Sequence, residues 1–558
     1  MSKTTLGRYI FRTLKNVVDK GAMQQEQSRS STVASVASAV QSPSCPFSPK
    51  ISRTDENDFG ISANIEEAIA VSEPKCKPYE AIPTPRGLPL VGTLFECLLN
   101  GGPSMYHTYC DKRHKELGPI YKEKVGSDEI VFVADKDLIQ TVYKNEGKYP
   151  VHMVPEPWIM YNEMTGNKRG LFFMDGELWS QRRQNLNNTF LRLKTICQYA
   201  KDFNDIAEDV ITCMKYNRDE NMVLLDLEKE LYKWSIESLG SMIFGRRMGC
   251  YANSSSDDNS FQMRPEEMEK FVHDVQQIFV ESAAMSVFPP RLAKKYNLPM
   301  WTRFVEAVGS ALEVAKGYVN ESLKDVVEKS KRGEPVHGVL SKLLAKDGEI
   351  EESEIVRIVI DLFIAAADTT SHTTQWALYL LAKHPEAQER LFKDIRSVVP
   401  GNETVTHEHI ENIPYVKAVV KEALRMYPVA PFLTRIMTKD IQLAEYLIPK
   451  DTLVLMSIYT TCRNPEYFPE PNSFKPERWL RTENKNEIFS TYACLPFGLG
   501  SRSCIGRRVA EKQMYILLAK TVNHYHLEVA NEKELEINLR MITTPNEKVK
   551  IKFDERIQ

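Results

Sequence analysis

The stretch Phe497-Gly-Leu-Gly-Ser-Arg-Ser-Cys504-Ile-Gly506 decides the fold, because it presents one cysteine in a glycine-rich loop. A helix is predicted to begin near Gly506, directly after this loop. Glycines allow positive φ angles and a close approach of the backbone to a flat ligand. Amides at the start of a helix point towards the sulfur and favour its thiolate form. A single thiolate presented in this way suits axial ligation of a haem iron.

The other cysteines give no competing signal. The chain has ten cysteines, which are scattered and include no Cys-x-x-Cys pair, so neither a zinc ribbon nor a disulfide scaffold is predicted. A lone cysteine is usually a small buried hydrophobic residue. The whole pattern around Cys504 favours a ligand instead, and Arg502 stands two residues earlier, where it can pair with a haem propionate.

Composition indicates a large globular protein with room for an enclosed cofactor. Of 558 residues, 42% are hydrophobic and 26% are charged, and the net charge is −3. A chain of this size buries roughly three quarters of its unfolded surface. The balanced charge disfavours a basic nucleic-acid-binding surface, so no nucleic-acid partner is predicted. Because no run of about 18 apolar residues occurs, we expect no transmembrane anchor.

Residues 1–75 are predicted to be a mitochondrial presequence and a disordered leader. The first thirty residues are poor in acids and form an amphipathic pattern, in which Leu6, Ile10, Leu14 and Val18 make one apolar helical stripe. Serines follow from Ser28 to Ser48, as is typical of transit peptides. A disordered basic tail is the alternative. The basic residues of this segment are Lys3, Arg8, Arg12, Lys15, Lys20 and Arg29.

Residues 76–558 are predicted to form one catalytic domain that is mainly α with small β-sheets. Residues Tyr121–Val133 alternate around Gly126 and predict a β-hairpin, and helical periodicity dominates from Trp158 to Lys393. Residues Ile441–Tyr459 contain two strand-like runs separated at residues 449–451. A proline-rich meander then leads to Phe497.

The segment around Cys504 resembles the haem-binding signature of the cytochrome P450 monooxygenases, with Cys504 in the position of the iron ligand. Three further motifs in the same order extend the resemblance over about residues 80–555. The resemblance implies the cytochrome P450 fold, which is a single large haem-containing domain, and haem b as the cofactor. It also places Phe497, Arg502 and Gly506 among the haem-binding residues.

A second motif, Glu422-Ala-Leu-Arg425, resembles the Glu-x-x-Arg of this family, and Pro476-Glu-Arg478-Trp479 resembles its meander segment. A spacing of three puts Glu422 and Arg425 on one face of a helix. The resemblance implies a buried charge network that supports the haem loop. The alternative is an exposed helical ion pair. Trp479 stands where the family usually has phenylalanine.

A third motif is Ala365-Ala-Ala-Asp368-Thr369-Thr370, inside a predicted helix over residues 354–383. It resembles the oxygen-activation segment of the family, and the resemblance implies that Asp368 and Thr369 are catalytic and relay protons towards dioxygen. Ala366 occupies a position where the family often has glycine. The alternative is a polar cluster on a core helix.

A fourth motif is Trp179-x-x-x-Arg183, whose spacing puts both side chains on one helical face. The resemblance implies that Trp179 and Arg183 meet a haem propionate and that Arg435 binds a propionate as well. Without the resemblance, packing of the arginine stem over the indole ring is the more usual explanation.

The predicted electron donor is a mitochondrial ferredoxin of the adrenodoxin type, which is reduced by an NADPH-dependent ferredoxin reductase. Lys417 and Lys421 match the lysines that the mitochondrial class uses to dock the acidic ferredoxin, and Arg507 and Arg508 resemble the paired arginines of that class. Two solvated lysines on a helix surface are the alternative. We expect peripheral association with the matrix side of the inner mitochondrial membrane.

A narrower resemblance, to the ecdysteroid 2-hydroxylases of arthropods, implies the substrate. It implies hydroxylation of the steroid 2-deoxyecdysone at carbon 2 to give ecdysone. Another mitochondrial sterol or xenobiotic hydroxylase is the first alternative, and a non-catalytic haem- or sterol-binding protein is the second. The segments that carry the resemblance are Leu231–Glu237, Met242–Gly245, Phe288–Leu292, Gln375–Leu378 and Leu424–Phe432.

Overall fold

The computed structural model describes residues 76–556, with gaps at 127, 167–169, 252–262, 345–350, 400–402, 404 and 481–489. The predicted presequence and leader, residues 1–75, lie outside the described residues, so the boundary at residue 75 stays a prediction. No described helix is both long and apolar enough to cross a membrane.

Helices account for most of the described chain, in agreement with the predicted fold class. Several begin with proline in their first turn, where its fixed φ angle suits a helix and its missing N–H is not needed; Pro299, Pro385 and Pro414 are examples. In chain order the helices are α1 (Leu94–Leu99), α2 (Tyr106–Leu117), α3 (Lys136–Lys144), α4 (Glu156–Thr165), α5 (Gly176–Phe190), α6 (Leu193–Cys197), α7 (Ala200–Tyr216), α8 (Leu227–Phe244), α9 (Pro265–Met285), α10 (Pro290–Lys295), α11 (Pro299–Lys331), α12 (Val339–Leu344), α13 (Glu352–Lys383), α14 (Pro385–Val398), α15 (His407–Glu411), α16 (Pro414–Met426), α17 (Ile458–Thr461) and α18 (Arg507–His524).

The β structure is small and divided among four sheets. The largest has the strand order β1-β2-β7-β4, in which β2 and β7 are parallel and the other pairs are antiparallel. A second sheet has the order β3-β11-β8, and β5–β6 and β9–β10 form two-stranded ribbons. The strands are β1 (Ile120–Val125), β2 (Asp128–Val133), β3 (Val223–Leu224), β4 (Phe432–Ile436), β5 (Ile441–Leu443), β6 (Tyr446–Ile448), β7 (Leu453–Ser457), β8 (Tyr525–Val529), β9 (Ile537–Arg540), β10 (Ile542–Pro545) and β11 (Ile551–Glu555).

Helix α13 runs through the main hydrophobic core. It packs against α8, α11, α16 and α18. Every residue from Trp376 to Leu381 is buried, whichever side of the helix it lies on. A helix that is apolar on all sides is stable only when other elements surround it. The C-terminal half of α13 is therefore held in place by the elements around it, and the same helix carries residues of the site described below.

The predicted hairpin and the two long helices are confirmed. Strands β1 and β2 pair in the register Tyr121↔Phe132, α13 spans residues 352–383 and α18 begins directly after Gly506. The number of strands predicted for residues 441–459 was wrong, since this segment contains three strands and the start of α17. A tight turn between β5 and β6 divides the first run, and Ala444 adopts a φ of 52° there, which a residue other than glycine rarely does.

Candidate functional site

The cysteine loop is folded back on itself by backbone hydrogen bonds. The N–H of Cys504 donates to the carbonyl of Phe497 at 2.8 Å, and the N–H of Ser503 donates to the carbonyl of Gly500 at 3.2 Å. Gly500 has a φ of 74°, and a Cβ at this position would collide with the carboxylate of Glu146. Glycine is therefore required at this position both for its conformation and for its lack of a side chain.

Cys504 differs from the other described cysteines, because it alone among them is an exposed residue. The protein atoms packed around its sulfur nevertheless desolvate the thiolate form and raise the pKa of the Cys504 thiol, while the amides of Gly506 and Arg507 and the charge of Arg183 oppose this rise. The predicted stabilisation by amides at the helix start is thus present but is outweighed by this desolvation. A metal ion reverses this balance, since a coordinating thiol is deprotonated.

Three arginines gather beside the cysteine loop. Arg183 donates through Nη2 to the carbonyl of Ser503 at 2.6 Å. Arg502 donates to the carbonyl of Pro150 at 2.9 Å and to Asp175 at 2.7 Å. The third arginine, Arg435, forms an ion pair with Glu146 at 2.6 Å. The cluster therefore contains three guanidinium groups and two carboxylates.

This cluster carries an excess of positive charge at short range. Burial, together with the charges of Arg435 and Arg183, lowers the pKa of Arg502 to about 10, although Asp175 opposes the shift. Burial and the same cationic surroundings lower the pKa of His152 to about 4. Both ring nitrogens of His152 and Nε of Arg183 are buried without a hydrogen-bond partner. These unpaired groups fit a bound dianion such as the two propionates of haem, next to a thiol that is accessible to the iron.

Aromatic rings lie against the same arginines. The guanidinium of Arg502 lies 3.8 Å from the centroid of the Trp179 ring, and that of Arg507 lies 5.5 Å from the centroid of Phe497. Trp179 and Arg183, which sequence spacing put on one face of a helix, are both buried on α5. The structure thus brings together six predicted site residues, namely Trp179, Arg183, Arg435, Phe497, Arg502 and Cys504, and Gly506 follows at the start of α18.

The Glu422 motif forms a buried network, so the alternative of an exposed helical pair was wrong. Arg425 donates to both carboxylate oxygens of Glu422, at 2.8 and 2.9 Å. Arg478 donates to Glu422 at 2.9 Å, and the indole N–H of Trp479 donates at 2.8 Å. Arg425 also donates to the carbonyls of Cys462 and Pro471. The network therefore joins α16 to the meander that precedes the cysteine loop.

Asp368 and Thr369 are adjacent on α13 but have different surroundings. The hydroxyl of Thr369 donates to the carbonyl of Ala365 at 2.8 Å, on the part of the helix where Ala365 is exposed. Asp368 is buried and accepts a hydrogen bond from the hydroxyl of Tyr232 on α8. Ser235 of α8 donates to the carbonyl of Ala366 at 2.9 Å. The polar segment is thus partly accessible and partly held by α8.

A sequence profile described as Cytochrome P450 matches residues 82–553, which is most of the chain. The chain belongs to the cytochrome P450 family. It is therefore a cytochrome P450 monooxygenase, and its cofactor is a haem with a thiolate ligand. The position of Cys504, the excess of arginine and the unpaired groups around it fit that cofactor.

Several relatives of this cytochrome P450 match nearly the whole chain. Cytochrome P450 315a1, mitochondrial, of Drosophila melanogaster is 34% identical over 496 residues, which are 86% of this chain and 89% of that protein. Sterol 26-hydroxylase, mitochondrial, of Homo sapiens is 32% identical over 84% of this chain and 88% of its own length. The mitochondrial 1,25-dihydroxyvitamin D(3) 24-hydroxylase of Mus musculus is 29% identical over 85% of this chain and 89% of its own length.

The two predicted docking lysines of this cytochrome P450 both lie on α16. Lys417 forms an ion pair with Glu411 at 2.6 Å, and Glu411 also accepts from Lys512 at 2.9 Å. Lys421 is exposed, with its ammonium group 5.9 Å from the centroid of the Trp479 ring. Part of the positive charge of Lys417 is therefore balanced within the protein.

Sequence reasoning missed five residues of the site. Glu146, Asp175 and His152 belong to the arginine cluster, and Tyr232 and His372 surround Asp368. His372 follows Asp368 by four residues, so helical spacing could have revealed it. The other four carry no local signal, because their partners are distant in the sequence.

Proposed function

We propose that this cytochrome P450 is a mitochondrial enzyme that hydroxylates the steroid 2-deoxyecdysone at carbon 2 to give ecdysone. The observation that carries the substrate is the similarity of segments such as Leu231–Glu237 and Leu424–Phe432 to the arthropod ecdysteroid 2-hydroxylases. Relatives named as mitochondrial sterol and vitamin D hydroxylases support a steroid-like substrate and a mitochondrial location. The amphipathic basic start of the chain supports the same location.

The proposed electron donor is a mitochondrial ferredoxin that is reduced by its NADPH-dependent reductase. The mitochondrial names of the relatives support this donor class. Lys417 and Lys421 are the proposed docking residues, since an exposed basic surface attracts an acidic protein over several ångströms. The proposed site of action is the matrix side of the inner membrane, with peripheral association.

In the proposed site, Cys504 holds the iron, and Arg183, Arg435 and Arg502 with His152 pair with the propionates. Trp179, Phe497 and Gly506 shape the surrounding walls. When bound, the haem supplies the activation of dioxygen and the transfer of one oxygen atom into a C–H bond. The protein orients the steroid so that carbon 2 lies near the iron. A few buried polar groups that match substrate hydroxyls suffice for this, since an unpaired one costs ~1–3 kcal/mol.

Asp368 and Thr369 are the proposed proton donors of this reaction. Each turnover converts a C–H bond, O2, two electrons and two protons into a C–OH group and one water molecule. The accessible hydroxyl of Thr369 and the buried carboxyl of Asp368 supply adjacent groups that can exchange a proton.

The test is turnover of a steroid panel by the full chain reconstituted with haem, ferredoxin, reductase and NADPH. We expect conversion of 2-deoxyecdysone to a product with the mass and retention time of authentic ecdysone, and no oxidation of cholesterol. Hydroxylation at carbon 20 or 22 would refute the substrate while leaving the monooxygenase intact. Binding of steroid without any NADPH-dependent product would favour the non-catalytic alternative.

A further inference from the structure

The carboxyl group of Asp368 lies at the inner end of a line of polar side chains. Asp368 is 2% exposed, and the hydroxyl of Tyr232 donates to its Oδ1. His372 follows one helical turn later and is 3% exposed. A buried carboxyl group needs such partners, because an unpaired one is costly to desolvate. Tyr232 on α8 and His372 on α13 are therefore the polar neighbours of the Asp368 carboxyl group.

His372 lies between the carboxyl group of Asp368 and a second carboxyl group, that of Glu228. Its Nδ1 lies 2.9 Å from the carbonyl oxygen of Asp368 and 3.7 Å from Oδ1 of the same residue. Its Nε2, on the opposite side of the ring, lies 3.7 Å from Oε1 of Glu228. A gap of 3.7 Å is longer than a hydrogen bond, and a small side-chain movement or one bridging water closes it. The imidazole thus faces a carboxyl group with each nitrogen.

Glu228 brings this line to the protein surface. It lies in the first turn of α8, and its side chain is 25% exposed. The amide of Gln276 on α9 donates to Oε1 of Glu228 at 2.6 Å and holds the carboxyl group in place. A buried acid, an imidazole and a solvent-accessible acid therefore follow one another in space.

The polar groups around Asp368 come from four elements. Helix α8 contributes Tyr232 and Glu228, α13 contributes His372, α9 contributes the neutral Gln276, and Arg540 of β9 acts at longer range. Burial raises the pKa of Asp368, while His372, Tyr232 and Arg540 oppose the rise. The pKa of the Tyr232 hydroxyl lies well above its usual range, chiefly because of burial, so Tyr232 acts as a fixed donor.

We propose that His372 carries protons from Glu228 at the surface to Asp368, while Tyr232 fixes the receiving carboxyl group. A proton taken from Glu228 at Nε2 makes the imidazole cationic, and the ring then gives its Nδ1 proton to the Asp368 carboxylate. The neutral ring is then left with its proton on Nε2, and exchange with water, which accepts the Nε2 proton and donates one to Nδ1, returns it to the starting tautomer. Two such passages supply the two protons consumed per turnover. The inference rests on the proposed role of Asp368 but not on the identity of the steroid.

The experiment compares His372→Asn, Glu228→Gln and their double variant in the haem-loaded full chain with ferredoxin and reductase. Asparagine keeps a donor near the Nδ1 position but cannot pass a proton. Ser371→Ala is the matched control, because it removes a hydrogen bond from α13 to the carbonyl of Leu231 at 3.1 Å and no titratable group. Product, NADPH and hydrogen peroxide are measured together in H2O and D2O.

We expect His372→Asn to lower product formation roughly ten- to hundredfold, which is at or below the lower bound of the ~10²–10⁴ that a direct proton donor contributes, because His372 acts through Asp368. Electrons should be diverted to hydrogen peroxide, and the solvent isotope effect should rise. Because the groups act in series, the double variant should match His372→Asn instead of adding the two losses. The relay would be overturned if His372→Asn kept the wild-type ratio of product to NADPH and the wild-type solvent isotope effect. Additive losses in the double variant would overturn it as well.

A second measurement does not depend on turnover. Nitrogen-15 spectra of labelled histidines in the reduced, carbonyl-bound protein identify His372 as the signal missing from His372→Asn. Glu228→Gln should change the nitrogen-15 shift of Nε2 in that signal, because it replaces the carboxyl group that faces this nitrogen at 3.7 Å. Glu269→Gln, which alters an exposed carboxyl group paired with Lys229, is the control and should not shift it. An unchanged Nε2 shift in Glu228→Gln would refute the link even if no steroid of the panel is oxidised, so failure of the substrate assignment is distinguishable.

Discussion

Replacement of Trp479 by phenylalanine tests how much the indole contributes to the Glu422 network. The indole N–H donates to Oε2 of Glu422 at 2.8 Å, alongside Arg425, Arg478 and the backbone N–H of Lys475. A hydrogen bond to a charged group contributes ~1.5–3 kcal/mol to stability. Glu422 keeps its two arginine partners in the variant, so the network survives and the loss should stay near ~2 kcal/mol.

Trp376→Phe is the matched control for this substitution. Trp376 is fully buried on α13 and stacks on Tyr427 with a centroid distance of 3.9 Å. Its indole N–H is buried without a hydrogen-bond partner. Trp376→Phe therefore removes more apolar contact than Trp479→Phe, because Trp479 is only half-buried, but it removes no hydrogen bond. It measures how much the loss of ring area alone costs in this core.

Urea unfolding of the haem-loaded variants measures both losses. Haem occupancy must be equal, because a bound ligand shifts the apparent stability. We expect Trp479→Phe to lose ~2 kcal/mol of the free energy of unfolding although it removes less apolar contact than Trp376→Phe, as the hydrogen-bond contribution requires. A loss below ~0.5 kcal/mol in Trp479→Phe would mean that the two arginines and the backbone satisfy Glu422 without the indole.

Three further predictions concern the thiolate, the docking surface and a buried acid. Cys504→Ala should abolish the red-shifted Soret band of the reduced, carbonyl-bound enzyme, and retention of that band would refute the iron ligand. Replacing Lys417 and Lys421 by glutamate should raise the ferredoxin concentration for half-maximal turnover roughly three- to tenfold at low salt, with unchanged haem content; identical ferredoxin titrations would locate docking elsewhere. Asp361 has a pKa raised to about 7, chiefly by burial, and its Oδ2 is unpaired. Because the folded state retains a proton that the unfolded state releases above pH 4, stability should fall as pH rises to 7, and Asp361→Asn should flatten this slope in pH-dependent urea unfolding.

Much of the site could be predicted, because its residues lie close together in the sequence or repeat at helical spacing. Trp179 and Arg183 share a helical face because they are four residues apart. The glycines around Cys504 indicate a loop whose backbone adopts positive φ angles. The same applies to Glu422 and Arg425, whose spacing of three allows the bidentate pair. Local geometry is set by covalent neighbours, so a linear pattern is enough to recognise it.

The sequence by itself predicted the cysteine ligand and determined the helical class and the residues of each motif. Only the tertiary structure decided that Glu146 pairs with Arg435, which lies 289 residues away, and that Tyr232 reaches Asp368 over a separation of 136 residues. It also decided that burial outweighs the amides in raising the pKa of the Cys504 thiol. These outcomes depend on how α8 packs against α13 and on how the four-stranded sheet that carries Arg435 packs against the rest of the protein. Desolvation and long-range pairing arise from packing in three dimensions, and the order of residues along the chain does not specify them locally.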